Sequence, residues 1–483
     1  MEKLSASLAE NKKALTKMFH SSTDFYTKVI EIHGIQCCIC IFEGLSSLER
    51  LWIMMLDVLS KAEENSTSQE LFNLIMHQSA IPVEDTPVCT LQEVCVQLTA
   101  GTAVVLVNGE SKGIVISTQS MQFRGVQEPG GEGNVRGSRE GFIELLRVNI
   151  SLVRRLIRSE ALCVEVLATE SKTNTEVAML YNAALAPKAL VEKLRDKILS
   201  APLPMLFDSA YLAPFLRPSR FSFFSASGYT ERPDTAAAKI CEGKIVLLVN
   251  GSPFAMIVPY FFNENFQSMD DYSSKAYFAS FIRVLKYIAF FVAILLPGVF
   301  VSLANFTPEF FPSQLLYKIA AGEQSTPLPL FLEAIFVNFL LEIVREAGLR
   351  LPKAIGHSVS LVAALIIGDA SVKAGLLGTP VVVVVAALTS ICAYVVPSLY
   401  EPVMVLRLLF ILAGGLLGPL GIVLLFIFML LDMCALQPYG AVYTAPIAPM
   451  QKGFFMDGLV RMKAQRLASN PFSISGKGRE KRG

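Results

Sequence analysis

The chain has 483 residues, 53% of them hydrophobic, and its 42 basic and 41 acidic side chains nearly cancel. This balance gives no electrostatic basis for nucleic-acid binding, so no nucleic-acid partner is expected. The mean hydropathy of +0.50 exceeds what a soluble core requires. The excess lies in residues 284–450, whose apolar runs need lipid or a very large core, whereas residues 1–283 carry charges throughout.

The first part of the chain, residues 1–122, is predicted to be an α/β subdomain. Its apolar run at 35–42 predicts a buried strand, and a helix is predicted from Ser47 to Lys61. A second helix over 90–99 leads into two β-branched runs joined around Asn108-Gly109, a dipeptide that readily adopts positive φ in hairpins.

The same order returns in residues 142–283. A strand is predicted at 162–169, a helical segment at 175–199 and a hairpin at 244–259. The letters VLVNG and LLVNG, one set in each predicted hairpin, match almost completely. We therefore expect a soluble N-terminal region of two related α/β subdomains, followed by an all-α domain with several transmembrane spans.

A glycine-rich segment, residues 123–141, is predicted to link the two subdomains, because its glycines and Pro129 disfavour regular structure. It contains neither a dinucleotide fingerprint nor a P-loop, so it does not predict nucleotide binding. From Phe142 onward, apolar residues recur at three- and four-residue steps, which predicts a helix.

This helix and the linker before it carry a cluster of arginines. Three interpretations are open, namely a solvated helix face, a docking surface for another subunit, and a site for an anion or a lipid headgroup near the membrane. As a candidate interaction surface the cluster comprises Arg136, Arg139, Arg147, Arg154, Arg155 and Arg158.

The segment TERPD, residues 230–234, has the composition of a helix start. Thr230 can serve as the N-cap, Glu231 lies where negative charge favours a helix, and Pro233 is tolerated in the first turn. Capping alone accounts for the segment.

No catalytic constellation is visible. The nine cysteines show no metal-ligand spacing, and the four histidines are scattered without a catalytic motif. We predict no catalytic residue, no metal site and no cofactor, and the chain is not expected to be an enzyme. The first thirty residues lack the basic and apolar pattern of an export signal, so the soluble region is expected to be cytoplasmic.

The apolar domain begins with a predicted span at 284–304, flanked by Arg283 and Lys286 and interrupted by Pro297-Gly298, which should kink it. The next helical segment cannot face lipid all round. It either lines a water-filled path or a subunit interface, which we favour, or lies at the membrane surface without crossing. Its polar residues are Glu333, Asn338, Glu342, Arg345 and Glu346.

Three further apolar segments follow. Residues 356–376 form a candidate span in which Asp369 and Lys373, four residues apart, can neutralise each other on one helix face. The run at 380–397 is bounded by prolines. Residues 403–431 are long for one span, and their glycines could break them into a hairpin or a kinked helix.

The chain ends in a basic segment, residues 451–483, which suits either a tail beside an anionic cytoplasmic leaflet or a solvated, disordered tail. Basic residues flank the first span and follow the last, which weakly favours cytoplasmic locations for both termini. An even number of crossings is then required, and this favours a break within 403–431.

Seven segments follow one another along the chain in a characteristic order, namely residues 123–158, TERPD, CEGKIVLLVNGSPFAMIVP at 241–259, MDDY at 269–272, EIVREAGLRLP at 342–352, IIGDASVKAGLLGTP at 366–380 and YTAPIAP at 443–449. In this order they resemble the GerA family, the A-type membrane subunits of bacterial spore germinant receptors. The C-terminal end departs from the pattern, since it lacks the Arg-Pro ending expected after the last membrane segment.

The resemblance implies a multi-pass protein of the inner spore membrane that acts with a transporter-like B subunit and a C lipoprotein. It further implies nutrient sensing largely by the B subunit and a homo-oligomeric, ring-like channel of A subunits. The polar helix from Glu333 to Glu346 and the stretch with Asp369 and Lys373 would then be pore or gate elements. Two alternatives are a stage V sporulation AF-like accessory protein and a non-conducting membrane scaffold for germination proteins.

Overall fold

The computed structural model describes residues 3–62, 66–79, 81–84, 86–118, 129–133, 137–169, 171–216, 222–350, 368–448 and 457–462. The chain forms two compact units. The first unit contains both β-sheets, and the second contains residues 222–226 together with the helical part of the chain from Tyr260 onward.

The first sheet is antiparallel with its four strands in sequence order. Its strands are β1 (Phe25–Ile32), β2 (Ile35–Phe42), β3 (Ala103–Val107) and β4 (Gly113–Ile116). The accompanying helices are α1 (Leu8–Met18), α2 (Leu48–Lys61), α3 (Ser68–Asn73) and α4 (Leu91–Ala100).

Both faces of this sheet are covered, which explains the unbroken apolar run of β2. Cys38 and Cys40 of β2 belong to one core cluster, with residues of α1 and α4. Ile39 and Ile41 belong to a second cluster, with residues of α2 and α3. The predicted strand at 35–42 and the predicted helices at 47–61 and 90–99 are confirmed as β2, α2 and α4.

The second sheet has the strand order β5-β6-β8-β9-β7 and is also antiparallel. Its strands are β5 (Leu162–Ala168), β6 (Glu176–Asn182), β7 (Gly228–Thr230), β8 (Ile245–Val249) and β9 (Ala255–Val258). The helices of this part are α5 (Leu146–Leu156), α6 (Lys188–Leu199), α7 (Ala213–Leu216) and α8 (Pro233–Cys241).

The two sheets share one arrangement. In each, a first hairpin (β1-β2 or β5-β6) pairs with a second hairpin (β3-β4 or β8-β9), and a helix (α4 or α8) precedes the second hairpin. β2 pairs with β3 in the first sheet, and β6 pairs with β8 in the second. The expected pair of related α/β subdomains is confirmed at this level. The helix predicted over 175–199 is wrong in its first part, because residues 176–182 form β6. Pairing with two strands there overrides a composition that is compatible with a helix.

The second unit is helical. Its helices are α9 (Asp270–Ser273), α10 (Ala276–Phe306), α11 (Ser313–Ser325), α12 (Leu330–Arg350), α13 (368–373), α14 (Thr379–Val381), α15 (Thr389–Tyr394) and α16 (Tyr400–Ala435), with a π-helical stretch, Val382–Leu388, between α14 and α15. By length and composition, α10 and the stretch Pro397–Ala435 are each able to cross a membrane, and α11 with α12 passes the same test across a 79° bend. The predicted span at 284–304 lies within α10, whereas most of the one predicted at 356–376 lies outside the described residues.

α16 is a helical hairpin. Gly418 has φ 63° and ψ −148°, which no helix continues through. A side-chain carbon placed on Gly414 would lie 3.0 Å from Ile422, and one placed on Gly421 would meet the backbone of Ala413. In a straight helix, positions eight residues apart are separated by about 12 Å. The predicted break within 403–431 is therefore confirmed, and it divides α16 into a first arm, 400–417, and a second arm, 419–435.

The two arms pack along α10 in opposite directions. Val403, early in the first arm, belongs to the same core cluster as Phe290 of α10. Gly418, at the turn, lies against the ring of Phe306, the last residue of α10. Met433, late in the second arm, is back in the cluster of Phe290. We call the two ends of this bundle the Phe290 end and the Phe306 end.

α12 runs from the Phe306 end toward the Phe290 end, antiparallel to the first arm. Phe331, near its start, packs against Gly415, close to the turn of α16. Glu342, further along, contacts Tyr400, the first residue of α16. α12 therefore follows the long direction of the bundle and does not lie across one end of it.

Candidate functional site

Two carboxylates of α12, Glu333 and Glu342, occupy different environments. They are nine residues apart in the sequence, or about 13 Å along a helix, and project from different sides of it. The two carboxylates therefore meet separate polar surroundings.

The Glu342 cluster consists of Glu342, Arg345, Tyr400 and Arg407. The Tyr400 hydroxyl donates to Glu342 Oε1 at 2.6 Å, and Arg407 Nη2 donates to the same oxygen at 3.1 Å. Arg345 Nη1 lies 3.4 Å from Oε2, and its guanidinium stacks 3.3 Å from the centre of the Tyr400 ring. Both oxygens of the carboxylate therefore have donors.

The cluster carries one negative and two positive charges, and the Arg407 side chain is only 1% exposed. A buried guanidinium needs a partner, because an unpaired buried charge is costly. Glu342 supplies that partner and connects α12 to α16. Chemically, the cluster is an ionic lock between two helices.

The Glu333 site lies nearer the Phe306 end. Glu333 is 1% exposed, and its Oε1 accepts a hydrogen bond from the backbone N–H of Gly378, the residue before α14. Its second oxygen, Oε2, has no hydrogen-bond partner among the described residues. The amide oxygen of Asn338, also buried, is likewise without a donor in the described part of the chain.

The remaining predicted polar residues of the helical unit form exposed pairs. Glu346 Oε1 accepts from Arg350 Nη2 at 2.6 Å. Lys373 Nζ donates to Asp369 Oδ2 at 2.6 Å, as the four-residue spacing predicted.

Arg154 does not belong to an interaction surface, so that prediction is wrong for this residue. Its guanidinium is buried and donates to both oxygens of Asp24, at 2.8 and 2.9 Å, and to the carbonyl of Leu162 at 2.8 Å. It also lies 4.4 Å from the centre of the Phe42 ring. Arg154 therefore holds the two α/β subdomains together from within.

The other predicted arginines lie nearer the surface. Arg147 pairs with Glu43, and Arg155 pairs with Glu140. Arg139 and Arg158 are exposed, and Arg136 lies outside the described residues. Whether the exposed members bind a partner stays a prediction.

TERPD binds the glycine-rich segment and does more than cap a helix. The predicted N-cap at Thr230 is wrong, because α8 begins at Pro233 with Arg232 as its N-cap, and Thr230 ends β7. The Thr230 hydroxyl instead donates to the Glu132 carboxylate at 2.6 Å.

The buried Arg232 side chain reaches the same segment, where it donates to the carbonyl of Ser138 at 2.9 Å. The carboxylate of Glu231 accepts from the N–H of Gly131 at 3.2 Å. Burial raises the pKa of the Glu132 carboxyl above its usual range, and the negative charge of Glu231 acts in the same direction.

MDDY also has a structural role. Asp271 Oδ2 accepts from Arg283 Nε at 2.6 Å, and Arg283 Nη1 reaches Asp457 Oδ1 at 2.8 Å. The Tyr272 hydroxyl donates to Asp457 at 2.8 Å, and Arg461 donates to the Tyr272 carbonyl at 3.1 Å. These bonds fasten residues 457–462 to the start of α10.

Sequence reasoning missed Arg407 and Tyr400 as members of the ionic site. The signal for Arg407 was present, since it is the one charged residue between Val403 and Leu431. Tyr400 gave no signal, because a tyrosine at a helix start is common. In the part of the chain that the structure describes, no group of three or more His, Cys, Asp or Glu side chains could hold a metal ion.

Comparison with known proteins places these features in a family. The family model of the Bacillus/Clostridium GerA spore germination protein matches residues 13–472. The chain is 31% identical to spore germination protein KA of Bacillus subtilis (strain 168) over 480 residues, covering 98% of this chain and 87% of that protein. It is 30% identical to spore germination protein B1 of the same organism over 477 residues, covering 97% of each.

Among solved structures, the N-terminal domain of the A subunit of the Bacillus megaterium spore germinant receptor GerK3 matches with a TM-score of 0.41 and 20% identity, covering 54% of this chain and 98% of that one. The match to the family model extends over nearly the whole chain, through both sheets and the helical bundle. This chain belongs to the GerA family of spore germination proteins.

Proposed function

We propose that this chain is the A subunit of a spore germinant receptor and that several copies assemble into a membrane channel that releases ions when nutrient is sensed. The observation that carries the proposal is the exposed face of α12. This face bears Phe339 and Ile343 beside Glu346 and Arg350, whose side chains are 57% and 80% exposed.

Such a face fits neither lipid nor the interior of a single chain. Ionised side chains at bilayer depth are costly unless they meet water or another protein surface. Because α12 follows the long direction of the bundle, Phe339 and Ile343 would meet lipid in an isolated copy, with the pair of Glu346 and Arg350 next to them toward the Phe290 end. A neighbouring copy that covers Phe339 and Ile343 and leaves Glu346 and Arg350 in a water-filled path removes this cost.

The points at which the chain enters and leaves the bundle support a cytoplasmic location for the soluble region and a location in the inner spore membrane for the bundle. Residue 457 is bonded to Arg283, so the chain enters and leaves the bundle at the same end. Arg283 and Lys286 lie at that end, as expected for the cytoplasmic side. The exposed apolar side chains of α16, such as Leu416 and Leu424, suit contact with membrane lipid.

Membership in the GerA family supports a receptor with further components. We propose a B subunit as the partner that binds nutrient and a C lipoprotein as the third component. Nutrient binding would release the ionic contacts that hold α12 against α16, with Glu342 as the central group of that lock.

Ion flux from liposomes tests the proposal. The full chain, reconstituted with its B and C partners, should release trapped potassium when nutrient is added. Glu342→Gln should change the flux while assembly is retained, and Glu309→Gln, at an exposed carboxylate outside the cluster, should leave it unchanged. Retained assembly without flux in the wild type would favour the non-conducting scaffold.

A further inference from the structure

We infer that the Glu333 carboxylate is a binding site for a small monovalent cation, either a proton or an alkali-metal ion, within the bundle. The inference rests on the proposed channel, since it names the group at which the conducted species would bind. It distinguishes Glu333 from Glu342, which the sequence placed together as pore candidates.

The hydrogen bonds of Glu333 leave half of its carboxylate unused. Oε1 accepts from the Gly378 N–H, whereas Oε2 is buried with no donor among the described residues. A buried, ionised oxygen without a partner is strongly unfavourable. A proton or a bound cation at Oε2 removes that cost.

The charges around the two carboxylates are opposite in sign. Glu342 is held by Arg345 and Arg407, so it has no need of a cation. A second carboxylate, Glu323 of α11, adds negative charge in the surroundings of Glu333. The Glu333 site therefore attracts positive charge, and the Glu342 cluster repels it.

The backbone that meets Glu333 at Gly378 belongs to an irregular segment, whose carbonyl oxygens can serve as further ligands. Between α13 and α14 the chain is irregular over residues 374–378, and Gly375 has φ +66°. Carbonyl oxygens of such interrupted helices coordinate sodium and similar ions in membrane transport proteins. Glu333 and this irregular segment meet at the Gly378 hydrogen bond.

Thermal unfolding of the full chain in detergent tests the site without any need for flux. Replacing choline by potassium or sodium at constant ionic strength should raise Tm by at least about 2 °C if the ligand is an alkali ion. If the ligand is a proton, the difference in Tm between the wild type and Glu333→Gln should vary with pH and not with the alkali ion, because taking the difference cancels the titration of the other carboxyls. If the ligand is an alkali ion, Glu333→Gln should remove the ion dependence of Tm, and Glu309→Gln should keep it.

An alkali-ion dependence that survives Glu333→Gln overturns the inference. So does a wild type that shows no alkali-ion dependence and whose difference in Tm from Glu333→Gln does not vary with pH. If Glu333→Gln does not fold, the inference can be tested on the wild type. Glu333 is then labelled with a hydrophobic carbodiimide, and the extent of labelling is measured by mass spectrometry. Protection by alkali ions or by raised pH supports the site, and labelling that responds to neither overturns it. A cation-dependent Tm without ion flux would contradict the proposed channel and support the cation site at Glu333. Ion flux without cation-dependent Tm or labelling would support the channel and contradict the cation site.

Discussion

Arg154 of α5 and Asp24, the residue before β1, form a bidentate ion pair in which both side chains are almost completely buried. The pair joins residues 130 positions apart and links the two α/β subdomains. Removing one partner of a buried ion pair destabilises the folded protein by more than the attraction within the pair stabilises it, because the remaining charge is left buried and unpaired.

Arg154→Met should lower the free energy of unfolding by about 3–5 kcal/mol, because Asp24 is left buried and charged without its partner. Unfolding in urea can be followed by the fluorescence of Trp52, which is the single tryptophan of the chain and lies in α2. Arg147→Met breaks an exposed pair with Glu43 and should cost no more than about 1 kcal/mol. Equal losses in the two variants would contradict the role assigned to Arg154.

Glu132 should make the stability of the N-terminal unit depend on pH. Its pKa is raised in the folded state, so folding retains the proton, and this contribution is full below the ordinary value of about 4.3. It is lost as pH rises through the raised pKa. Glu132→Gln, which resembles the protonated acid, should gain stability relative to the wild type as pH rises above about 4.3.

The check for Glu132 is the difference between wild type and Glu132→Gln in urea unfolding, measured by Trp52 fluorescence across that pH range. Taking the difference cancels the titration of other carboxyls, such as Glu70 and Glu93, whose pKa values are lowered by hydrogen bonds at helix N-termini. A difference that does not vary with pH would show that folding does not raise the pKa of Glu132.

Gly298 should tolerate no side chain, because α10 and the first arm of α16 cross at this position. A carbon added there would collide with the backbone of Phe410, and one added at Gly414 would collide with the backbone of Gly298. Gly298→Ala should therefore destabilise the bundle by about 1–3 kcal/mol and lower Tm in detergent. Gly368→Ala is the matched control, since no atom of the described residues lies within 4 Å of a carbon placed there, and it should leave Tm nearly unchanged.

Asp271 should protect the segment 457–462 from proteases. Asp271→Asn weakens the hold on Arg283, whose other partner is Asp457, and this loosens the segment that contains Arg461. We expect cleavage by trypsin after Arg461 to accelerate about tenfold, which corresponds to about 1.4 kcal/mol. The rate can be measured by mass spectrometry, with Glu309→Gln as control. Unchanged cleavage would mean that the ion pairs do not hold the segment.

The amino-acid sequence by itself determined the elements whose patterns are local. The apolar run at 35–42, the hairpin around Asn108-Gly109 and the apolar stretch of α10 each show their structure within a short window, because side-chain period and length decide it. The break in α16 was visible for the same reason, since glycines and Pro419 interrupt a run too long for one helix.

The tertiary structure alone decided which charges meet. Glu342 finds Arg407 at a distance of 65 residues, and Arg154 finds Asp24 at 130. A charge in a sequence reveals its need for a partner but not which face of which element will supply it. Only packing distinguishes the locked carboxylate of Glu342 from the half-paired one of Glu333.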